Sequence, residues 1–229
     1  MNKKYLHQSG RPYTKPEFLK KLKNDNEFNQ KFGSKKGIDQ IQNLINLLKT
    51  NPDSRRLLVS SWSVNDVEYV VLPPCHYSFQ CYTTIMTSKE RYDRWVKYRK
   101  DSKLNDSGMS DEKAMEYYDF PTRKLSLKFN MRSTDIGLGF PFNIASYAML
   151  LNILSIECNM VSDEIICSMG DAHIYINHVN GINEQLIREP FELPKLIINE
   201  KNDIDKYEID DFEIIDYKYH PSIKLPLSN

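Results

Sequence analysis

The chain has 229 residues, and its 31 Lys plus Arg balance 31 Asp plus Glu to a formal net charge of zero. That balance argues against a sequence-independent nucleic-acid binder, which needs a cationic footprint, while leaving room for a local cluster of arginines. A composition that is 40% hydrophobic and 11% aromatic supports an ordinary core rather than disorder, and the length suits one large domain or two small ones.

Residues 1–36 are polar and basic, a divergent N-terminal segment with helical character around Lys15 to Asn24. Ile38, Ile41, Leu44, Ile45 and Leu48 recur at helical spacing and predict an amphipathic helix over 38–49. Asn51-Pro52-Asp53-Ser54 reads as a turn, and after Arg55-Arg56 the run Leu57-Leu58-Val59 reads as an apolar strand. A short strand is expected over Tyr69–Leu72, stopped by Pro73-Pro74. Another is expected over Ser78–Met86, which is rich in aromatic, β-branched and Cys residues.

Residues 87–122 are heavily charged, with helical stretches on either side of a polar break at Gly108. They predict a solvent-facing insertion between two strands, not a separate domain. Next, Leu125, Leu127, Phe129 and Met131 alternate with Lys124, Ser126, Lys128 and Asn130, the pattern of a half-buried strand. Asn143–Cys158 is apolar enough to predict a helix buried on most sides. A strand over Glu164–Met169, a helix over Ala172–Ile187 and late strands over Leu196–Asn199 and Phe212–Tyr217 complete the reading. Strands and helices interleave without a clean βαβ period or repeats. The expected class is therefore α/β (α+β), a mixed sheet packed by helices, in a single domain over 1–229.

Cys75, Cys81, Cys158 and Cys167 are far apart, with neither a CxxC pair nor a zinc-type Cys/His spacing, so no metal site is expected. Met1-Asn2-Lys3-Lys4-Tyr5 lacks the apolar run of a signal peptide. The longest apolar stretch, Ile144 to Ile156, carries Ser146, Asn152 and Ser155 and is too short to span a bilayer. A reducing, cytoplasmic setting with no membrane partner is the expectation.

Three segments offer chemistry. Leu72-Pro73-Pro74-Cys75-His76 supplies a thiol, Arg132-Ser133-Thr134-Asp135 a fixed cation for an anion, and Gly139-Phe140-Pro141-Phe142-Asn143 an amide that can read the edge of a heterocycle. A free thiol is a weak nucleophile near neutral pH, and neighbouring cations raise its thiolate fraction; Arg55, Arg56 and Arg132 are the candidates for that role. The planar guanidinium fork suits phosphate. Taken singly each signal has a plain alternative. Arg55-Arg56 can be a solvated turn, and a lone Cys after two prolines a small buried hydrophobe.

Their order changes the weighting. Asp53-Ser54-Arg55-Arg56, Leu72-Pro73-Pro74-Cys75-His76, Arg132-Ser133-Thr134-Asp135, Gly139 through Tyr147, Gly170-Asp171-Ala172-His173-Ile174-Tyr175 and Arg188-Glu189-Pro190 follow one another in a nearly continuous run from about Ile38. The sequence resembles thymidylate synthase of the folate-dependent type. The resemblance implies that Cys75 is the nucleophile that adds to carbon six of dUMP, with methylenetetrahydrofolate as co-substrate and no metal. It implies that Arg132 and Ser133 hold the substrate phosphate from the same subunit. Arg55 and Arg56 would reach the partner's phosphate in a homodimer with shared sites. Asn143 would read the uracil edge, His173 and Tyr175 the deoxyribose hydroxyl, and Asp135 the folate, while His76 and Gln80 would line the site. No specific nucleic-acid partner is implied.

Other residues receive plain readings. Tyr147 and Phe142 are expected in the core, His178 and His220 as surface or supporting residues, and Cys81, Cys158 and Cys167 as inert thiols. The sequence also departs from the family pattern. The arginine loop and proton-managing glutamate of the family's N-terminal half are not found. Gly33-Ser34-Lys35-Lys36-Gly37 stands where a Tyr-Gly-x-Gln-Trp-Arg stretch is expected, Met131 where a glutamine is common, and Asn229 where an apolar residue is usual. The chain is expected to begin after that glutamate, with the missing part supplied by a separate N-terminal fragment or lost. Two rival readings are a pyrimidine nucleotide hydroxymethylase of the same superfamily and an inactive or split nucleotide-binding remnant. Asn143, where cytosine-specific relatives carry Asp, favours uracil.

Overall fold

A computed structural model describes residues 15–27, 38–64, 66–67, 70–102, 104, 108–201 and 203–228. The rest of the N-terminal segment, including Gly33 to Gly37, lies outside the described residues, as do Tyr69 and the terminal Asn229. Helix α1 covers Lys15–Asn24, as its composition predicts.

Helix α2, Gln40–Thr50, is started by Asp39, whose carboxylate accepts from the backbone N–H of Gln42. It buries Leu44, Ile45 and Leu48, three of the apolar positions read from the sequence. Strand β1, Leu58–Ser60, pairs antiparallel with β2, His76–Ile85, and β2 pairs antiparallel with β3, Arg123–Asp135. Helix α5, Gly139–Glu157, then returns the chain so that β4, Val161–His173, lies parallel to β3. The sheet order is β1-β2-β3-β4, and β3-α5-β4 is one βαβ unit, which the sequence reading did not separate out. Strands β5, Lys195–Ile198, and β6, Phe212–Ile215, make a separate two-stranded sheet.

The core lies on one face of the larger sheet. Phe79 and Cys81 from β2 meet Leu125, Leu127, Phe129 and Met131 from β3, under Leu44, Ile45 and Leu48 of α2 and Leu151 and Leu154 of α5. Each fully buried leucine contributes about 1.5–3 kcal/mol relative to exposure. The opposite face carries Leu58, Gln80, Tyr82, Lys128, Ile166 and Ser168, all exposed.

The insertion becomes helices α3, Ser88–Asp101, and α4, Asp111–Tyr117. Thr87 and Glu90 form a reciprocal capping box at the start of α3. The expectation of a purely solvent-facing excursion needs correcting, because Trp95, Ala114, Met115 and Phe120 are buried together in a second, smaller core. Arg91 donates to the carbonyls of Phe120 and Pro121, while Arg94 meets Asp163 on β4 at 2.8 Å and Lys124 meets Glu90 at 3.1 Å. The insertion is thereby tied to the sheet's edge.

Four further expectations change. Val70 to Leu72 form bends, not a strand, and are exposed. Helix α5 starts at Gly139 rather than Asn143, because Pro141 falls in the first turn, where its missing N–H has no intrahelical partner to lose. The helix is also less buried than its apolar sequence suggests: Phe142, Ile144, Ala145 and Ser146 are exposed. At 19 residues it is long and apolar enough to cross a membrane by length and composition, yet its Leu151 and Leu154 pack in the core. Finally, the helix expected over Ala172–Ile187 is shorter. Strand β4 runs on to His173, a 3₁₀ turn covers Ile176–His178, and helix α6 covers only Val179–Leu186. The pairing Asp135↔His173 keeps that stretch extended, and Gly170 permits it, since a Cβ there would stand 2.8 Å from the Arg132 carbonyl oxygen.

Candidate active site

Strands β2 and β3 deliver the thiol and the cation to the same end of the sheet. The backbone N–H of Arg132 donates to the carbonyl of Cys75 at 2.9 Å. The Arg132 guanidinium donates to the carbonyls of Pro74 and Pro73 at 3.2 and 2.7 Å. One residue thus clamps the Pro73-Pro74-Cys75 turn through both its backbone and its side chain. The guanidinium stays exposed, with donors left for an anion. Cys75 is half-buried and a free thiol. It is not sealed in hydrocarbon, as Cys81 is.

The contrast among the thiols is physical. Burial and the neighbouring Cys158 push the Cys81 thiol up to about 12, and burial pushes Cys158 up to about 11. Cys167 is raised by burial as well. These three are inert at neutral pH.

His76 follows Cys75 and begins β2. Burial lowers its pKa, so the ring is neutral near pH 7. Its Nε2 lies 3.2 Å from Nδ2 of Asn143. An amide nitrogen only donates, so Nε2 accepts, and the Asn143 carbonyl oxygen is left to accept from a ligand. A ring imide N–H, which neutral uracil carries and cytosine lacks, suits that acceptor. Tyr147, one helical turn beyond Asn143, stacks under His76 at 5.7 Å and on Phe129 at 3.9 Å between centroids. It supports His76 and Asn143 from the half-buried layer below, while Phe142, expected in the core, is 70% exposed.

Asp135 ends β3. Its Oδ1 accepts from the N–H groups of Gly137 and Leu138 at 3.0 and 3.2 Å, which fixes the turn into α5. Ser133 pairs in register with Asp171, and Asp135 with His173. His173 Nδ1 lies 3.3 Å from the Asp171 carbonyl, and Tyr175 stands edge-on to His173 at 5.0 Å. Tyr175 sits on extended backbone just before the 3₁₀ turn, not on a helix. His178, expected as a surface or supporting residue, is wholly buried, which excludes the surface reading. Its place after the polar Asn177 gave no sign of that.

Two groups stand apart from this cluster. A register shift between His76 and Ser78 turns β2 over, so Gln80 lies on the exposed face of the sheet. Arg55 and Arg56 precede β1, where the Leu57 carbonyl accepts from Cys81. Cys81 is six residues along β2 from Cys75, about 20 Å of strand. Arg123 grips Asp53 through two bonds at 2.7 and 2.9 Å, holding the Asp53–Arg56 turn in place. That guanidinium keeps the Asp53 carboxyl below the usual carboxylate range. Among the described residues no group of three or more His, Cys, Asp or Glu side chains is arranged to hold a metal ion.

A half-buried thiol, a neutral imidazole orienting an amide acceptor and an exposed guanidinium, all at one sheet end, define a thiol site suited to an anionic heterocycle. The family model for thymidylate synthase matches residues 11–229. A thymidylate synthase of Mycoplasma mobile is 37% identical over 220 residues, covering 91% of this chain and 64% of the relative. One of Mycoplasma pneumoniae is 35% identical over 233 residues, covering 97% and 68%. One of Coxiella burnetii is 39% identical over 192 residues, covering 83% and 59%. The chain belongs to the thymidylate synthase family, and it spans about two thirds of the length of these relatives.

Proposed function

We propose that this chain carries the nucleophile-bearing part of a thymidylate synthase, converting dUMP to dTMP with methylenetetrahydrofolate and releasing dihydrofolate. The observation that supports this most is the clamp of Arg132 on the Cys75 turn beside the His76–Asn143 pair. In this reading the Cys75 sulfur bonds to carbon six of the pyrimidine, and the displaced electron pair makes carbon five nucleophilic. Carbon five takes the methylene from the folate and loses its proton. A hydride from the folate then completes the methyl group as the sulfur leaves. Asn143 accepts from the ring N–H, Arg132 and Ser133 hold the phosphate, His173 and Tyr175 take the sugar hydroxyl, and Asp135 meets the folate.

The uncovered face of the sheet supports a homodimer. Leu58, Tyr82 and Ile166 there are about half exposed or more, and a second copy would remove them from water. Arg55 and Arg56, far along the sheet from their own Cys75, act in this reading only on a partner's phosphate. A cytoplasmic location and an additional N-terminal fragment belong to the same proposal. Mixing the purified chain with dUMP and methylenetetrahydrofolate and following dihydrofolate absorbance tests it. Appearance of dihydrofolate supports the proposal. No signal, with or without a complementary N-terminal fragment, overturns it.

A further inference from the structure

Strand β2 is irregular where His76 enters it. His76 pairs with Met131 and Ser78 with Asn130, so Tyr77 is the extra residue of a bulge. In a regular strand successive carbonyls point to opposite edges. Here the carbonyls of His76 and Tyr77 are both taken by one residue, Ser61, just past the end of β1. Its hydroxyl donates to the His76 carbonyl, and its backbone N–H donates to the Tyr77 carbonyl at 3.0 Å.

Ser61 is itself anchored. The side-chain amide of Gln40, in the first turn of α2, donates to the Ser60 carbonyl at 2.8 Å and accepts from the Ser60 N–H at 2.9 Å. From the other side, Asn130 of β3 donates to the Ser78 hydroxyl at 3.0 Å, and the Arg132 N–H holds the Cys75 carbonyl. The bulge is therefore fixed from both neighbouring strands. Of these bonds, it is the Ser61 hydroxyl's that falls on the His76 carbonyl. The imidazole of the same residue stacks on Tyr147 and meets Asn143.

We propose that Ser61 is a positioning residue for uracil recognition: by fixing the His76 carbonyl it sets the ψ torsion of His76, and with it the place from which the imidazole meets Asn143. Without the hydroxyl, the peptide between His76 and Tyr77 turns its carbonyl to water and the ring draws away from the Asn143 amide. That amide is then no longer held with its oxygen toward a ring N–H. The proposal rests on the thymidylate synthase reading for the nucleotide. The tether from Ser61 to His76 needs no nucleotide.

The His76 ring signals in a proton–carbon correlation spectrum of the nucleotide-free chain test the tether. Ser61 is exposed, and Ser61→Ala removes its hydroxyl. The His76 signals then move while those of His178 and His220 stay. Ser61→Thr keeps a hydroxyl and returns the His76 signals to their parent positions. Ser63→Ala, which removes a hydroxyl bonded to Asp66 within its own turn, moves none of them. Parent-like His76 signals in Ser61→Ala overturn the tether, and so does a failure of Ser61→Thr to restore them. Equal displacement of His178 and His220 reports a general loosening and overturns it as well. Should Ser61→Ala fail to fold, Ser61→Val against Ser61→Thr, alike in shape and different in the hydroxyl, decides the same question.

Calorimetric titration with dUMP and with dCMP tests the consequence. Ser61→Ala weakens dUMP about fivefold and leaves dCMP within about twofold, because cytosine has no ring N–H bond to Asn143 to lose. Ser61→Thr restores the parent preference. In turnover, Ser61→Ala raises KM for dUMP about fivefold with kcat within about threefold. An equal loss for both nucleotides, or a fall in kcat at unchanged KM, overturns the positioning role. A parent chain that binds no dUMP refutes the proposed function and leaves the His76 signals to decide the tether, so the two failures are told apart.

Discussion

The two ends of the four-stranded sheet treat their cations differently. At the insertion end, Arg94, Arg99, Arg123 and Lys124 each meet a carboxylate at 2.7 to 3.1 Å. At the Cys75 end, the Arg132 guanidinium meets the carbonyls of Pro73 and Pro74 and, among the described residues, no carboxylate. Charge at the first end is spent inside the fold. At the second it is held in position and left for something brought from outside.

The largest expected effect falls at the second end. Cys75→Ala should cost on the order of 10⁴-fold or more in dTMP formation, while dUMP binding measured by calorimetry changes little. Next comes a change confined to the first end. Trp95→Ala, emptying the insertion's own core, should destabilise it by about 3–5 kcal/mol in denaturant titration and leave dUMP affinity unaltered. A loss of dUMP affinity in that variant would break the comparison. Arg132→Ala should weaken dUMP binding by about 10²-fold and also free the proline turn. Arg132→Lys should recover only part, because an ammonium cannot bond two carbonyls and a phosphate in one plane.

His76 supplies a pH test. Its folded pKa lies below the ordinary 6.5, so protonation favours the unfolded chain. Its contribution is full above that ordinary value and declines as the pH falls from there towards the lowered folded value. Protonated His76 cannot accept from Asn143. The dUMP affinity should therefore drop on the acid side below 6.5, and His76→Gln should flatten that limb. The smallest effect belongs to Arg94→Ala. A partly exposed pair is worth under about 1 kcal/mol in thermal unfolding, with turnover unchanged.

Local pattern made much of this legible. The 3.6-residue spacing of Leu44, Ile45 and Leu48 and the alternation from Leu125 to Met131 identified α2 and β3, because one buried face writes its period into the sequence. What failed depended on distant partners. The stretch Ala172 to Ile176 reads as helix alone, and it stays extended through His173 because β3 pairs with it. Trp95 sits in a helix dominated by charge, and only the approach of Ala114, Met115 and Phe120 makes it core. Phe142 and Ile144 read as interior, yet both are exposed near the start of α5.

The site was legible as motifs more than as geometry. Cys75, His76, Arg132 and Asn143 converge as their order in the sequence suggests. The turnover of β2 that separates Gln80 from them required the irregularity after His76 to be seen. The burial of His178 against Pro226 joins residues 48 positions apart, and no local signal carries that.

Release of tritium from carbon five of labelled dUMP tests the central claim most directly, since that proton leaves only after sulfur has added to the ring. With methylenetetrahydrofolate present, the chain should release tritium at a rate matching dTMP formation, and Cys75→Ala should release none. Release that persists in Cys75→Ala, or its absence from a parent chain that binds dUMP, would contradict the account.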